Sequence, residues 1–162
     1  MYGGNTRKQG LGAFARGLQA KGAYTEPSLD NEPGEYELES FEPDMDEVGD
    51  FGGRLLMSAP IVHMLHLQTD SYAKHKALNK LYDTLPDDVD AVLEEFQGCH
   101  GIIGSYNTYV GYTANPVMFV EELLNFVMKN RDCMGPDSGI QAGIDTIVTS
   151  IRSCLYKLKN LK

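Results

Sequence analysis

Three of the chain's four histidines, His63, His66 and His75, fall within thirteen residues, and two carboxylates one helical turn apart, Asp90 and Glu94, follow them. Imidazole nitrogen together with carboxylate oxygen is a donor set that iron, manganese and zinc accept. His63 is twelve residues before His75, Asn79 follows four later, Asp90 eleven after that and Glu94 four beyond. This ladder could ligate a divalent metal, with Asn79 and Asp70 as weaker or outer partners. Two acids at i and i+4 repel when alone, and a cation between them removes the repulsion. No GxGxxG, no P-loop and no Ser/His/Asp or Cys/His arrangement competes with this chemistry.

Whether the ladder can close on one ion depends on the helices beneath it. From Arg54, apolar residues recur at Leu55, Ala59, Val62, Ala73 and Ala77, with His66 in that stripe and His63 and Asp70 at its edge. On an unbroken helix His75 points about 120° away from His63. The two then meet only through a break near residue 69 or through a second subunit. Pro86 costs ~3 kcal/mol in a helix interior. Thr84 is a good N-cap, and Asp87 and Asp88 suit the positive end of a helix dipole. Local chemistry therefore predicts a hairpin at 84–87 and a first helix over about 53–84. Beyond it, Val89, Val92, Leu93 and Phe96 share one face. Glycines and regularly spaced tyrosines predict an irregular aromatic connection over 99–114. Asn115 and Pro116 open a helix to about Asn130, with Val117, Val120, Leu124 and Val127 inward. Asp137 or Ser138 caps a last helix whose Ile140, Ile144, Ile147, Ile151, Leu155 and Leu158 form the cleanest stripe in the chain.

The ladder His63, His75, Asn79, Asp90, Glu94, closed by Gly98, resembles the motif of the Dps branch of the ferritin-like superfamily, the mini-ferritins. There the motif runs His, eleven residues, His, three, Asp, ten, Asp, three, Glu. The phrase SYAKHKALNKLYD is also similar to ferritin-like proteins that tailed bacteriophages encode. The resemblance implies a break near 68–71, a kinked second helix over about 71–98, and oxidation of bound Fe(II) by oxygen or peroxide at a site shared between two subunits. Ferric mineral would then be stored inside a hollow homo-oligomer. Three positions depart from the pattern. Asn79 stands where the family carries an Asp ligand, Met64 where a Trp usually follows the first His, and Pro86 interrupts the second helix. His66 is a rival to His63 as first ligand.

The 162 residues suit one domain. Net charge is −9, of which −7 lies in residues 1–50, with four basic and eleven acidic side chains. That first segment is rich in Gly and Pro and poor in large aliphatics, so alone it is expected to lack a core and stay irregular. Within it, residues 11–21 are expected to turn helically around Leu11, Phe14 and Leu18, and Tyr24, Tyr36 and Phe41 sit among acids as in segments that order on a partner. The acidic balance argues against DNA as a partner. Cys99, Cys133 and Cys154 are odd in number and unpaired in spacing, as in reduced cytosolic proteins. No apolar run suggests a signal peptide or a membrane anchor.

The expectation is an all-α, ferritin-like four-helix bundle over 51–162 with a largely irregular acidic tail over 1–50. Its first functional reading is iron oxidation and storage through His63, His66, His75, Asp90 and Glu94. The alternative is a phage virion protein that kept the bundle, with a vestigial or structural metal site, and docks through residues 1–50 on a capsid, neck or tail assembly. The expected location is the bacterial host cytoplasm or the virion.

Overall fold

The computed structural model describes residues 41–161, and the readings made above for residues 1–40 lie outside them. The described residues contain four α-helices, α1 Met45–Gln68, α2 Tyr72–His100, α3 Pro116–Asn130 and α4 Ser138–Asn160, with a 3-10 turn at Arg131–Met134 between the last two. No strand occurs among them, and none of these helices is long and apolar enough to cross a membrane.

The first helix starts inside the stretch expected to belong to the tail. Asp44 caps it, its carboxylate accepting from the amides of Asp46 at 2.9 Å and Glu47 at 3.3 Å. The acids that made this stretch look irregular are the favourable first turn of a helix, and Val48 and Phe51 behind them are buried.

The predicted hairpin at 84–87 does not form, and α1 ends sixteen residues short of 84. The chain turns instead at 69–71, where Thr69 and Ser71 are extended. The Ser71 hydroxyl accepts from the Lys74 amide at 3.4 Å, and the Thr69 hydroxyl from the Ser71 amide at 3.2 Å. Pro86 sits on an exposed face inside α2. The helix is retained because its inward row, Leu78, Leu81, Leu85, Val89, Val92 and Phe96, is buried on both sides of the proline. At ~1.5–3 kcal/mol per buried aliphatic side chain, that row outweighs the ~3 kcal/mol of one proline. Thr84 turns its hydroxyl back to the Lys80 carbonyl at 3.0 Å as a mid-helix residue and caps nothing.

Each helix packs on two others: α1 on α2 and α3, and α4 on α2 and α3. Val92 of α2 meets Gly143 near the start of α4, while Ala77 and Lys157 flank one groove near the opposite ends, so α2 and α4 are antiparallel. Lys159 pairs with Glu121, and Arg131 with Asp145 at 2.7 Å, so α3 and α4 are antiparallel too. Consequently α2 and α3 run the same way, and residues 101–115 must travel the length of α1 to join them. This arrangement is compatible with a four-helix bundle with one long crossover. On α3 the buried residues are Phe119, Val120, Leu123 and Val127, so the stripe is rotated from the predicted one and Val117 and Leu124 lie at its margin. On α4 the predicted isoleucines and Leu158 are buried, joined by Val148 and Cys154.

The crossover lies against α1 backbone to backbone. A Cβ on Gly49 would stand 2.2 Å from the Ser105 carbonyl oxygen, and one on Gly53 would stand 2.2 Å from that of Asn107. Farther along, the Tyr112 hydroxyl donates to the Gln68 side chain at 2.9 Å. Gly53→Ala is expected to lower the unfolding free energy by about 1–3 kcal/mol, because the strap must lift. Gly98→Ala, inside α2 with nothing within 4 Å of the new methyl, is expected to raise it by about 0.5–1 kcal/mol. Urea midpoints of the two variants check both signs.

Cys154 is 3% exposed, and burial pushes its thiol up to about 12, with Lys157 pulling weakly the other way. Burial, then Glu47, pushes Cys133 up to about 11. A folded-state value above the unfolded one gives stability that is complete below about pH 9 and lost as pH rises toward 12. The urea midpoint should therefore fall between about pH 8 and pH 10.5, and fall less in Cys154→Ala. A wild type whose midpoint is flat over that interval would contradict the burial of these thiols.

Candidate functional site

Because α1 stops at Gln68 and α2 starts three residues later, His66 in the last turn of one meets His75 in the first turn of the other. The His66 Nδ1–H donates to the His75 carbonyl at 2.9 Å, and the His75 Nδ1–H donates to the His66 carbonyl at 3.2 Å. Both acceptors are carbonyl oxygens, so both Nδ1 atoms must carry the hydrogen, and in the neutral rings the lone pair is left on Nε2. The two rings face each other with centroids 3.6 Å apart and planes 32° from parallel. His66 is 5% exposed, so this reciprocal pair is the inner part of the corner.

His63, one turn earlier on α1 and exposed, has its ring centroid 5.8 Å from that of His66. It stacks on Tyr82 of α2 with centroids 4.2 Å apart and planes 19° from parallel. Tyr82 also presents its ring to His66 edge-on at 5.1 Å. Its hydroxyl donates to the Asn79 side-chain oxygen at 3.3 Å, and the Asn79 amide nitrogen donates to the Asp83 carboxylate. A chain of contacts thus runs from His63 through Tyr82 and Asn79 to Asp83.

The structure brings His63, His66, His75 and Asn79 together at this corner, and Asp70 lies exposed in the turn beside it. Asp90 and Glu94 are elsewhere. They are exposed on α2, fifteen and nineteen residues beyond His75, which at 1.5 Å per residue is about 22 and 28 Å along the axis. Near Asp90 lies Tyr106 of the crossover, whose phenol is raised by burial first and by the Asp90 charge second. Among the described residues no three His, Cys, Asp or Glu side chains converge as one metal site. The stacking explains part of this: rings lying face to face hold their Nε2 lone pairs in near-parallel planes.

Tyr82 and Asp83 escaped the sequence reading. Their signal is helical phase: Tyr82 is seven residues after His75 and Asp83 four after Asn79, so both share the His75 face once α2 is known to begin at 72.

A family of unknown function, DUF5856, matches residues 66–158. The chain belongs to that family. The DUF5856 match takes in the inner histidine pair, the whole of α2 and α3, and nearly all of α4. Similarity also extends to an uncharacterized 14.6 kDa protein of the mobD-ri intergenic region of Enterobacteria phage T4, 37% identical over 49 residues. That match covers 30% of this chain and spans 38% of the phage protein's length. No solved structure matches.

The corner generates a graded expectation. His66→Ala removes a buried ring and one of the two bonds that cross the turn, for a loss of about 2–4 kcal/mol. His63→Ala loses an exposed stack, under about 1 kcal/mol. Urea unfolding of the two variants measures the difference; equal losses would mean that the reciprocal pair is not what closes the corner.

Proposed function

We propose that this chain is a ferritin-like metal-binding protein whose site is completed by a second copy. His63 or His66 with His75 come from one chain, and Asp90 and Glu94 from the other. The substrate is Fe(II), each ion giving up one electron to oxygen or peroxide, with ferric iron stored in the oligomer. The observation that carries the reading is one ridge along α2, half-buried at His75 and Asn79 and exposed at Asp90 and Glu94. At about 100° per residue, His75, Asn79, Asp90 and Glu94 fall within a sector of about 100°, and Pro86, on the same ridge, is exposed. In a two-fold pairing the same surface meets itself, residue i facing j while j faces i. Two α2 helices crossing antiparallel near Thr84 and Leu85 would set His75 against Glu94 and Asn79 against Asp90 with one axis, twice over. The Nδ1–carbonyl bonds of His66 and His75 support it further, since metal-bound imidazoles commonly anchor their second nitrogen in this way.

Asn79 limits the site. Two imidazoles and two carboxylates holding two Fe(II) ions leave a net charge of +2, where a third carboxylate would leave +1, and the second position is filled weakly in consequence. The amide also serves the apo protein, because Asn79→Asp would set a second carboxylate against Asp83.

A second reading is favoured by the similarity to the phage T4 protein: a virion or interaction protein that keeps the helices, leaves the metal ridge unused and docks through its N-terminal segment. Metal analysis of the purified protein, together with its mass in solution, separates the two. The metal reading expects a dimer or larger, at most one tightly bound divalent ion per site, and slow ferrous oxidation. Glu94→Ala should lower metal content while shifting the metal-free melting point little, and His75→Ala should lower both, because the His66 carbonyl loses its cap. Asn79→Asp should cost about 1 kcal/mol without metal and raise both stoichiometry and oxidation rate with it. A metal-free monomer, or equal metal content in wild type and both alanine variants, would sink this reading and leave the interaction reading standing.

A further inference from the structure

Between α2 and α4, where α2 begins and α4 finishes, an open groove of about 730 Å³ has Lys76 and Lys80 on one wall and Lys157 on the other. It continues toward Ser153 over a floor that includes Ala77, Leu81 and Cys154, each 2–3% exposed. The volume lies in the ~300–1,000 Å³ range of small-ligand sites. None of the three lysines forms an ion pair among the described residues. Two carboxylates share the neighbourhood, Asp83 in the groove wall, accepting from Asn79, and Asp88, accepting from Ser150 at 3.4 Å; these neutral donors leave their charge in place, and the three lysines outnumber them. Tyr72, 78% exposed, stands at the open end.

Three ammonium groups around a narrow apolar floor, with an aromatic face at the mouth, match phosphate joined to a flat ring. We propose that this groove binds a phosphate ester carrying an aromatic base, either a free nucleotide or a nucleotide within a single strand. Lys76, Lys80 and Lys157 hold the phosphates, the exposed Ser153 hydroxyl adds a donor, and the base lies on Tyr72. The chain's overall negative charge does not oppose this. The acids at the start of α1, Asp44, Asp46 and Glu47, sit beside the far end of α2, about 36 Å from Lys76 by helix length. At physiological salt the screening length is ~8 Å, so the groove presents its own local charge. Coating of duplex DNA, which needs an extended basic surface, is not what three lysines in a groove offer.

The test uses the full chain with two probes, a fluorescently labelled ATP and a labelled oligothymidylate about ten nucleotides long. Saturable binding of at least one probe is expected at about 50 mM salt, and strand affinity should fall with salt at a log–log slope of about −2, at ~0.7 per lysine. Lys80→Gln/Lys157→Gln should weaken binding about tenfold or more. Lys129→Gln, which lines a different cavity, should leave it unchanged. Tyr72→Ala should weaken ATP about tenfold while leaving inorganic triphosphate untouched. Displacement of the oligonucleotide by ATP makes a free nucleotide sufficient; failure to displace it assigns the groove to the strand. Should the double variant lose helicity, Ser153→Asp places a carboxylate in the same groove and is expected to weaken binding likewise. Absence of saturable binding to either probe, or wild-type affinity in a folded groove variant, overturns the proposal.

Discussion

The turn at 69–71 governs the rest of this structure. It is short because two imidazoles close it, each giving its Nδ1–H to the other's backbone carbonyl across the gap between α1 and α2. Backbone carbonyls at a helix end have no partner within the helix, and burial without one is costly. The His75 carbonyl lies in the first turn of α2, where its helical partner is also present, so the His66 bond there is an addition. At the end of α1 the His75 ring fills a real vacancy. The pair therefore works as a cap as well as a stack, and it sets the point from which α2 is measured. Had the first helix continued to Thr84, His63 and His75 would lie on different faces of one rod, and the groove between α2 and α4 would lose one wall.

Much of the fold was legible because it depends on period. The inward residues Val89, Val92, Leu93 and Phe96 were read correctly, as were the isoleucines of α4, since burial on one side of a helix leaves a 3.6-residue trace that tertiary context only reinforces. The caps Asn115 and Asp137 were equally readable, and both side chains accept the expected amides. What failed was the choice between two breaks. Pro86 announces itself by local chemistry, while Thr69 and Ser71 announce themselves only weakly, and the deciding quantity is the apolar row that α2 buries on either side of the proline. That row is a property of packing, so single-residue signals could not weigh it. The onset of α1 at Met45 was missed for a related reason: an acidic run reads as solvated charge until Val48 and Phe51 are given a surface to bury against.

The site was legible as a set of residue types and only partly as a place. His63, His66 and His75 share a corner because a break puts them there. Asp90 and Glu94 stay about 22–28 Å away along α2 because the same break leaves the helix continuous beyond it. Spacing along a chain records which face a residue occupies and how far along it lies, so it can align groups on one ridge without bringing them to one point. Tyr82 carries no such ladder in the sequence, yet it touches two of the three histidine rings. Aromatic neighbours are found by phase and proximity together, and proximity was the missing half.

The crossover that joins α2 to α3 grips α1 through its own backbone at Gly49 and Gly53. Side chains join that grip at Ile103, 4% exposed, at Tyr106, whose ring lies against Gly52, and at Tyr112, while Tyr109, 80% exposed, faces solvent. Outward positions such as Ile102 and Tyr109 are therefore open to change, while the length of the strap is not. Removing one residue between Ser105 and Asn107 would slide the strap by ~3.3 Å, so that only one of the two glycines could still meet its carbonyl. In such a lineage the number of residues in the strap is inherited together with its inward side chains, and the outward ones are the part open to change.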